Sequence, residues 1–124
     1  MSAADLVLPA PMEGSAQVRA RVTAARQRQR ARFQALGGPV ARLHTNAECS
    51  GQTLEKIATP DAEGMKLLRS AAESLGLSAR GFHRTIKVAR TIADLDGVEN
   101  VGRAHVAEAL SYRSEALHMD RAAA

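Results

Sequence analysis

Apolar positions recur at spacings of three and four from Val18 onward. Val18, Val22, Ala25, Phe33 and Leu36 fall on one helical face, with Gln29 interrupting the stripe. Ser15 precedes them as the expected N-cap, and Gly37, Gly38 and Pro39 stop the helix. From Val40 to Ile57 the period weakens; Asn46, Ser50 and Gly51 are turn formers, leaving room for a short helix over Gln52–Ile57.

Thr59 and Pro60 then read as a cap and a first helical residue, with Asp61 and Glu63 placing negative charge near the helix's positive end. The helix they open carries Ala62, Met65, Leu68, Ala72 and Leu75 on one stripe, and Gly76 closes it. Ser78 caps the next helix, which runs to about Leu95. Its face is Phe82, Ile86, Ala89 and Ala93, widened by Val88 and Ile92, and Asp96 and Gly97 form the turn that ends it. A last helix from about Arg103 to Arg113 buries Val106, Ala109 and Leu110. The pattern predicts an all-α fold: a small helical bundle over residues 15–113 whose first helix is basic. An extended lead-in over 1–14 and a flexible tail over 114–124 flank it.

Composition narrows the picture. Aromatic residues are 2% of the 124 positions while 45% are hydrophobic, so the core is built from small aliphatic side chains, which suits helix packing. No apolar run is long enough to span a bilayer, no secretory leader is visible, and Cys49 is the single cysteine, which together predict a cytoplasmic protein without a membrane partner or a disulfide. A thin, Ala-rich bundle of this size is marginal alone, and some self-association is expected.

The net charge of +4 is unevenly placed. Arg19, Arg21, Arg26, Arg28, Arg30, Arg32 and Arg42 stand between Ser15 and Leu43 with no acidic residue among them. The six on the first helix are candidates for contact with nucleic acid or with a neighbouring subunit. Pairing with acidic protein surface is the plainer reading of the two.

Most catalytic chemistry is excluded. The phosphate loop Gly-x-x-x-x-Gly-Lys-Ser/Thr is absent, so the chain is not a self-sufficient P-loop ATPase and no catalytic residue is assigned. His44, His83, His105 and His118 lack metal-ligand spacing, and no metal site is expected. Cys49 reads as an ordinary thiol.

The stretch over 67–113, LLRSAAESLGLSARGFHRTIKVARTIADLDGVENVGRAHVAEALSYR, resembles the C-terminal segment of magnesium-chelatase-like AAA+ ATPases, in particular those of the competence-protein type. GLSARGFHRTIKVARTIADLDG is its specific part, and VRARVTAARQRQRARF upstream is similar to the family's basic helix joining the nucleotide-binding core to a helical lid. The resemblance implies that this chain is such a lid. The longer protein would then bind ATP and Mg²⁺ through an upstream core, assemble into a homo-oligomer, expected to be a hexamer, and act on DNA by branch migration or as a helicase. In true magnesium chelatases the same lid serves insertion of Mg²⁺ into protoporphyrin.

By the same resemblance Arg80, in Ser78-Ala79-Arg80, matches the sensor 2 arginine that points at nucleotide phosphates; Arg84, one turn on, could reach the nucleotide or a neighbouring subunit, the plainer reading being a solvated face shared with Lys87. A guanidinium stays charged and grips phosphate oxygens through parallel N–H bonds, which fits that role. The ordinary alternative is a solvated first-turn cation. His83, Lys87 and Arg90 recur along the polar side of the same helix. Gly81 and Phe82 stand where alanine and tyrosine are common in the family, loosening this helix start by about 1 kcal/mol. The rival reading is a freestanding basic helical module that binds nucleic acid non-specifically.

Overall fold

The computed structural model describes residues 14–112, and they form five α-helices joined by short turns. These are α1 (Ser15–Leu36), α2 (Gly51–Ala58), α3 (Ala62–Leu75), α4 (Ala79–Asp96) and α5 (103–112). Two 3-10 turns, Gly38–Arg42 and Asn46–Glu48, connect α1 to α2. The all-α expectation holds. Of the lead-in expected over 1–14 only Gly14 is described, and the tail over 114–124 lies outside the described residues.

Helix α4 is the centre of the bundle, and both α1 and α2 pack against it. Phe33 of α1, Leu54 and Ala58 of α2, Leu68 of α3, Ile86, Ala89 and Ala93 of α4 and Val106 and Ala109 of α5 form one continuous core. Four alanines among these positions let helix axes approach closely, which is how a chain so poor in aromatics still fills its interior. Gly64 serves the same end: a Cβ there would lie 2.8 Å from Pro60 Cβ and 3.2 Å from the Gly102 carbonyl carbon.

Local capping chemistry sets most boundaries. Ser78 Oγ accepts from the Gly81 N–H at 3.0 Å, starting α4 as expected. Gly76 and Gly97 end α3 and α4 in the left-handed region, with φ of 63° and 74°. Two caps differ from expectation. Gly14, not Ser15, is the N-cap of α1; the Gln17 side chain reaches back and accepts from its N–H at 2.9 Å. Asp61, not Thr59, caps α3 by accepting from the Gly64 N–H at 2.9 Å. The Thr59 hydroxyl instead donates back to the Glu55 carbonyl and closes α2. A tertiary bond decides between the two candidates, because the Asp61 N–H is held by the Val101 carbonyl at 2.8 Å.

Two side-chain assignments change as well. Gln29 does not break the α1 stripe but is buried in it, its Oε1 accepting from the Asn46 N–H at 2.9 Å. Arg90 lies inside the bundle, not on a polar face, at 3% exposure. Its Nη1 donates to the Glu99 carbonyl at 2.7 Å and its Nη2 to the Val98 carbonyl at 3.1 Å and to Asp94 Oδ1 at 3.0 Å. Burial pushes this guanidinium below its ordinary value, Asp94 pulls it back up, and Arg32 presses it down again. Val88, placed on the apolar face by its spacing, is instead exposed.

Candidate functional site

Helix α4 presents its first two turns to the start of α2. Arg80 sits in the first turn behind the Ser78 cap, and Arg84 and Lys87 follow at intervals of four and three, so all three cations share one flank. Across from them the chain turns at Ser50 and enters α2 at Gly51, whose φ of 60° suits glycine. The open groove between is lined by Arg80, His83, Arg84 and Lys87 on one side and by Ser50, Gly51 and Leu54 on the other. No carboxylate is among these lining residues.

The groove's potential is positive for two reasons. Three permanent or near-permanent cations line it, and Ser50 offers no side-chain cap to the first-turn N–H groups of α2. Two lining residues are tethered. Lys87 Nζ donates to the Ala47 carbonyl at 3.3 Å, and His83 Nε2 lies 3.0 Å from Glu55 Oε1. Arg80 and Arg84 are exposed. An exposed guanidinium pair on one wall of a concave surface is suited to holding a polyanion such as a nucleotide's phosphate chain. The groove does not supply oxygen ligands for Mg²⁺, and among the described residues no group of three or more His, Cys, Asp or Glu could hold a metal.

The six arginines of α1 separate into different environments. Arg32 is bonded to the buried Asp94 through both terminal nitrogens, at 3.2 and 2.6 Å. Arg30 donates to the carbonyls of Ala41 and Leu43. Arg28 lies over the end of α4, with Nη2 3.2 Å from where a Gly97 Cβ would be. Arg19, Arg21 and Arg26 are exposed. Periodicity could not have separated these roles, since the partners of Arg30 and Arg32 are 11 to 62 residues away in sequence.

Asp94, which sequence reasoning overlooked, joins three segments. It receives Arg32 of α1, Arg90 of its own helix and, through Oδ2 at 2.9 Å, the Asn46 side-chain N–H. The i,i+4 spacing of Arg90 and Asp94 on one helix is the signal that could have pointed to it. Cys49 is buried, and desolvation pushes its thiol up, so it is poorly suited to act as a nucleophile. His105 accepts from the Gly102 N–H through Nδ1 at 2.9 Å and holds the start of α5.

A capped, arginine-bearing helix beside a cationic groove thus sits on a small all-α, five-helix domain. The chain belongs to the family described as magnesium chelatase, subunit ChlI C-terminal, whose model matches residues 12–113. It is 38% identical over 102 residues to the competence protein ComM of Haemophilus influenzae and 37% identical over 102 residues to YifB of Salmonella typhimurium, an uncharacterized protein. It is also 41% identical over 101 residues to an uncharacterized protein of Mycobacterium tuberculosis. Each match covers 82% of this chain but only 18 to 19% of the relative, so the chain spans less than a fifth of the length of these proteins. No described helix is long and apolar enough to cross a membrane.

Proposed function

We propose that this domain is the C-terminal lid of an ATP-driven AAA+ motor and that Arg80 reads the phosphates of a nucleotide held by the rest of the protein. The observation that carries this is the placement of Arg80 in the first turn of α4, fixed by the Ser78 cap, on a groove lined by cations and free of carboxylates. Arg84, one turn further on, is the second phosphate contact. Bound Mg²⁺·ATP supplies the scissile phosphoanhydride, and its metal ligands come from elsewhere in the longer protein. Arg80 contributes charge that is strongest toward a γ-phosphate and weakens when that phosphate leaves.

The lid would convert that difference into movement. From Arg80 to Asp94 the α4 axis runs about 21 Å, and at its far end Asp94 is clamped by Arg32 of α1. A tilt of α4 toward the phosphates therefore carries α1 with it. The longer protein works as a homo-oligomer, hexameric by this reading. The likeness to a competence protein favours DNA processing, by branch migration or helicase action, over metal insertion into a porphyrin.

The test uses the longer protein containing this domain. Arg80→Ala is expected to lower ATP turnover by 10- to 100-fold, the loss of about 1.4 to 2.7 kcal/mol of transition-state stabilisation, and Arg84→Ala by less. Unchanged turnover together with unchanged ATP affinity in Arg80→Ala removes the assignment.

A further inference from the structure

The described residues divide sharply in charge. From Gly14 to Ala47 there are seven arginines and no acid, whereas from Glu48 to Tyr112 eight Lys and Arg face nine Asp and Glu. The basic excess belongs wholly to α1 and the turn after it. Helix α1 also extends well past the body: its buried residues begin only at Ala25, and positions 14–21 are exposed all round.

At 100° per residue, the side of α1 opposite the buried stripe is a ridge of Ala16, Ala20, Thr23, Gln27, Ala31 and Gln34, all exposed. Arg19 and Arg26 run along one flank of this ridge and Arg21 and Arg28 along the other, each row about a quarter turn from it. The ridge has no aromatic and no apolar side chain larger than alanine. A protein-binding helix is normally anchored by large apolar or aromatic residues. A neutral, narrow ridge between two cationic rows has instead the cross-section of a helix laid in a duplex groove, with amide and methyl groups toward the base edges and guanidinium groups reaching the phosphates of both strands. The helix is about 33 Å long and, with side chains, 10 to 12 Å wide, close to the 12 Å width of the B-form major groove.

We infer that the outer face of α1 binds double-stranded DNA through its major groove, with Arg19 and Arg26 on one strand's phosphates and Arg21 and Arg28 on the other's. The contact is independent of Arg80 and of nucleotide. Its sequence preference is confined to what Thr23, Gln27 and Gln34 can read, the rest of the ridge being alanine methyls.

Fluorescence anisotropy of a labelled 20-base-pair DNA duplex titrated with the 124-residue chain tests this, in salt from 50 to 200 mM. Four phosphate contacts give a log–log salt slope of about −3.6, a loss of roughly 150-fold in affinity over that range. Arg19→Gln/Arg26→Gln should reduce the slope to about −1.8, a loss of roughly 12-fold, and Arg19→Lys/Arg26→Lys should restore it. Both residues are exposed, so the helical circular-dichroism signal and melting point of these variants should match the parent. Arg69→Gln/Arg103→Gln, an equal loss of charge away from α1, should bind as the parent does. Double-stranded RNA, whose major groove is too narrow and deep for a helix, should bind more weakly. The inference is overturned if DNA affinity and slope survive Arg19→Gln/Arg26→Gln, if RNA duplex binds equally well, or if polyglutamate displaces the protein as readily as DNA, which would mark an acidic protein as the occupant.

Discussion

Replacing Asp94 with asparagine removes one negative charge and almost no volume. Asp94 is 1% exposed, and among the described residues its carboxylate is the sole anion bonded to the buried Arg90 guanidinium and to Arg32. Arg90 cannot shed its proton, so the variant keeps a cation inside the bundle with only neutral acceptors around it, the Glu99 and Val98 carbonyls among them. Breaking a buried pair in this way costs about 3 to 5 kcal/mol. The margin for absorbing it is narrow, because Asn46 Oδ1 and Arg90 Nε are already buried without partners among the described residues. For a domain near 100 residues, each kcal/mol lowers the melting temperature by about 4 to 8 °C, so Asp94→Asn should lower it by at least about 12 °C. Thermal melts followed by circular dichroism at 222 nm measure this. Arg32→Ala should cost less, about 1 kcal/mol, because the Arg32 side chain is 21% exposed and Arg90 still neutralises Asp94. Adding Arg90→Met to Asp94→Asn should recover part of the loss, since no buried charge remains. A melting temperature for Asp94→Asn within 3 °C of the parent, a bound well under the ~12 °C expected, would refute this reading of the network.

Two further outcomes are expected. Ser78→Ala removes the α4 cap and should cost about 1 kcal/mol; in the longer protein it should also weaken the Arg80 contact, read as a raised KM for ATP with intact folding. Glu48 is held below the ordinary carboxylate value of 4.5, first by the His44 N–H and then by the Thr45 N–H. Its folded form binds its proton less readily than its unfolded form, so its contribution is present above pH 4.5 and fades as pH falls through the lower folded value. Carboxyl NMR titration should show that depression, and Glu48→Gln should abolish this part of the acid dependence of unfolding.

What the sequence made legible was chemistry completed within a few residues. Ser78, Gly76 and Gly97 mark helix ends because their partners are three to five positions away, and the structure keeps all three. Thr59 and Asp61 are both able caps within one turn of each other, and only a bond to Val101, forty residues on, selects the second. Gln29 and Arg90 look like surface residues on a helical wheel; their burial follows from partners on the 3-10 turn at Asn46 and on the loop at Val98 and Glu99. The candidacy of Arg80 rests on resemblance to a family. Exposure alone would not have distinguished it from Arg69 or Arg103, which are exposed as well.

The corner at Gly37 and Gly38 has two consecutive residues with positive φ and looks like a natural hinge. Arg30 changes that, because its guanidinium reaches past the corner to the carbonyls of Ala41 and Leu43, bolting the outgoing strand of chain to the helix it has just left. The glycines thus shape a fixed elbow. Swapping Arg30 for a shorter side chain would turn this stiff elbow into a loose joint while leaving Arg80, Arg84 and the exposed arginines of α1 in place.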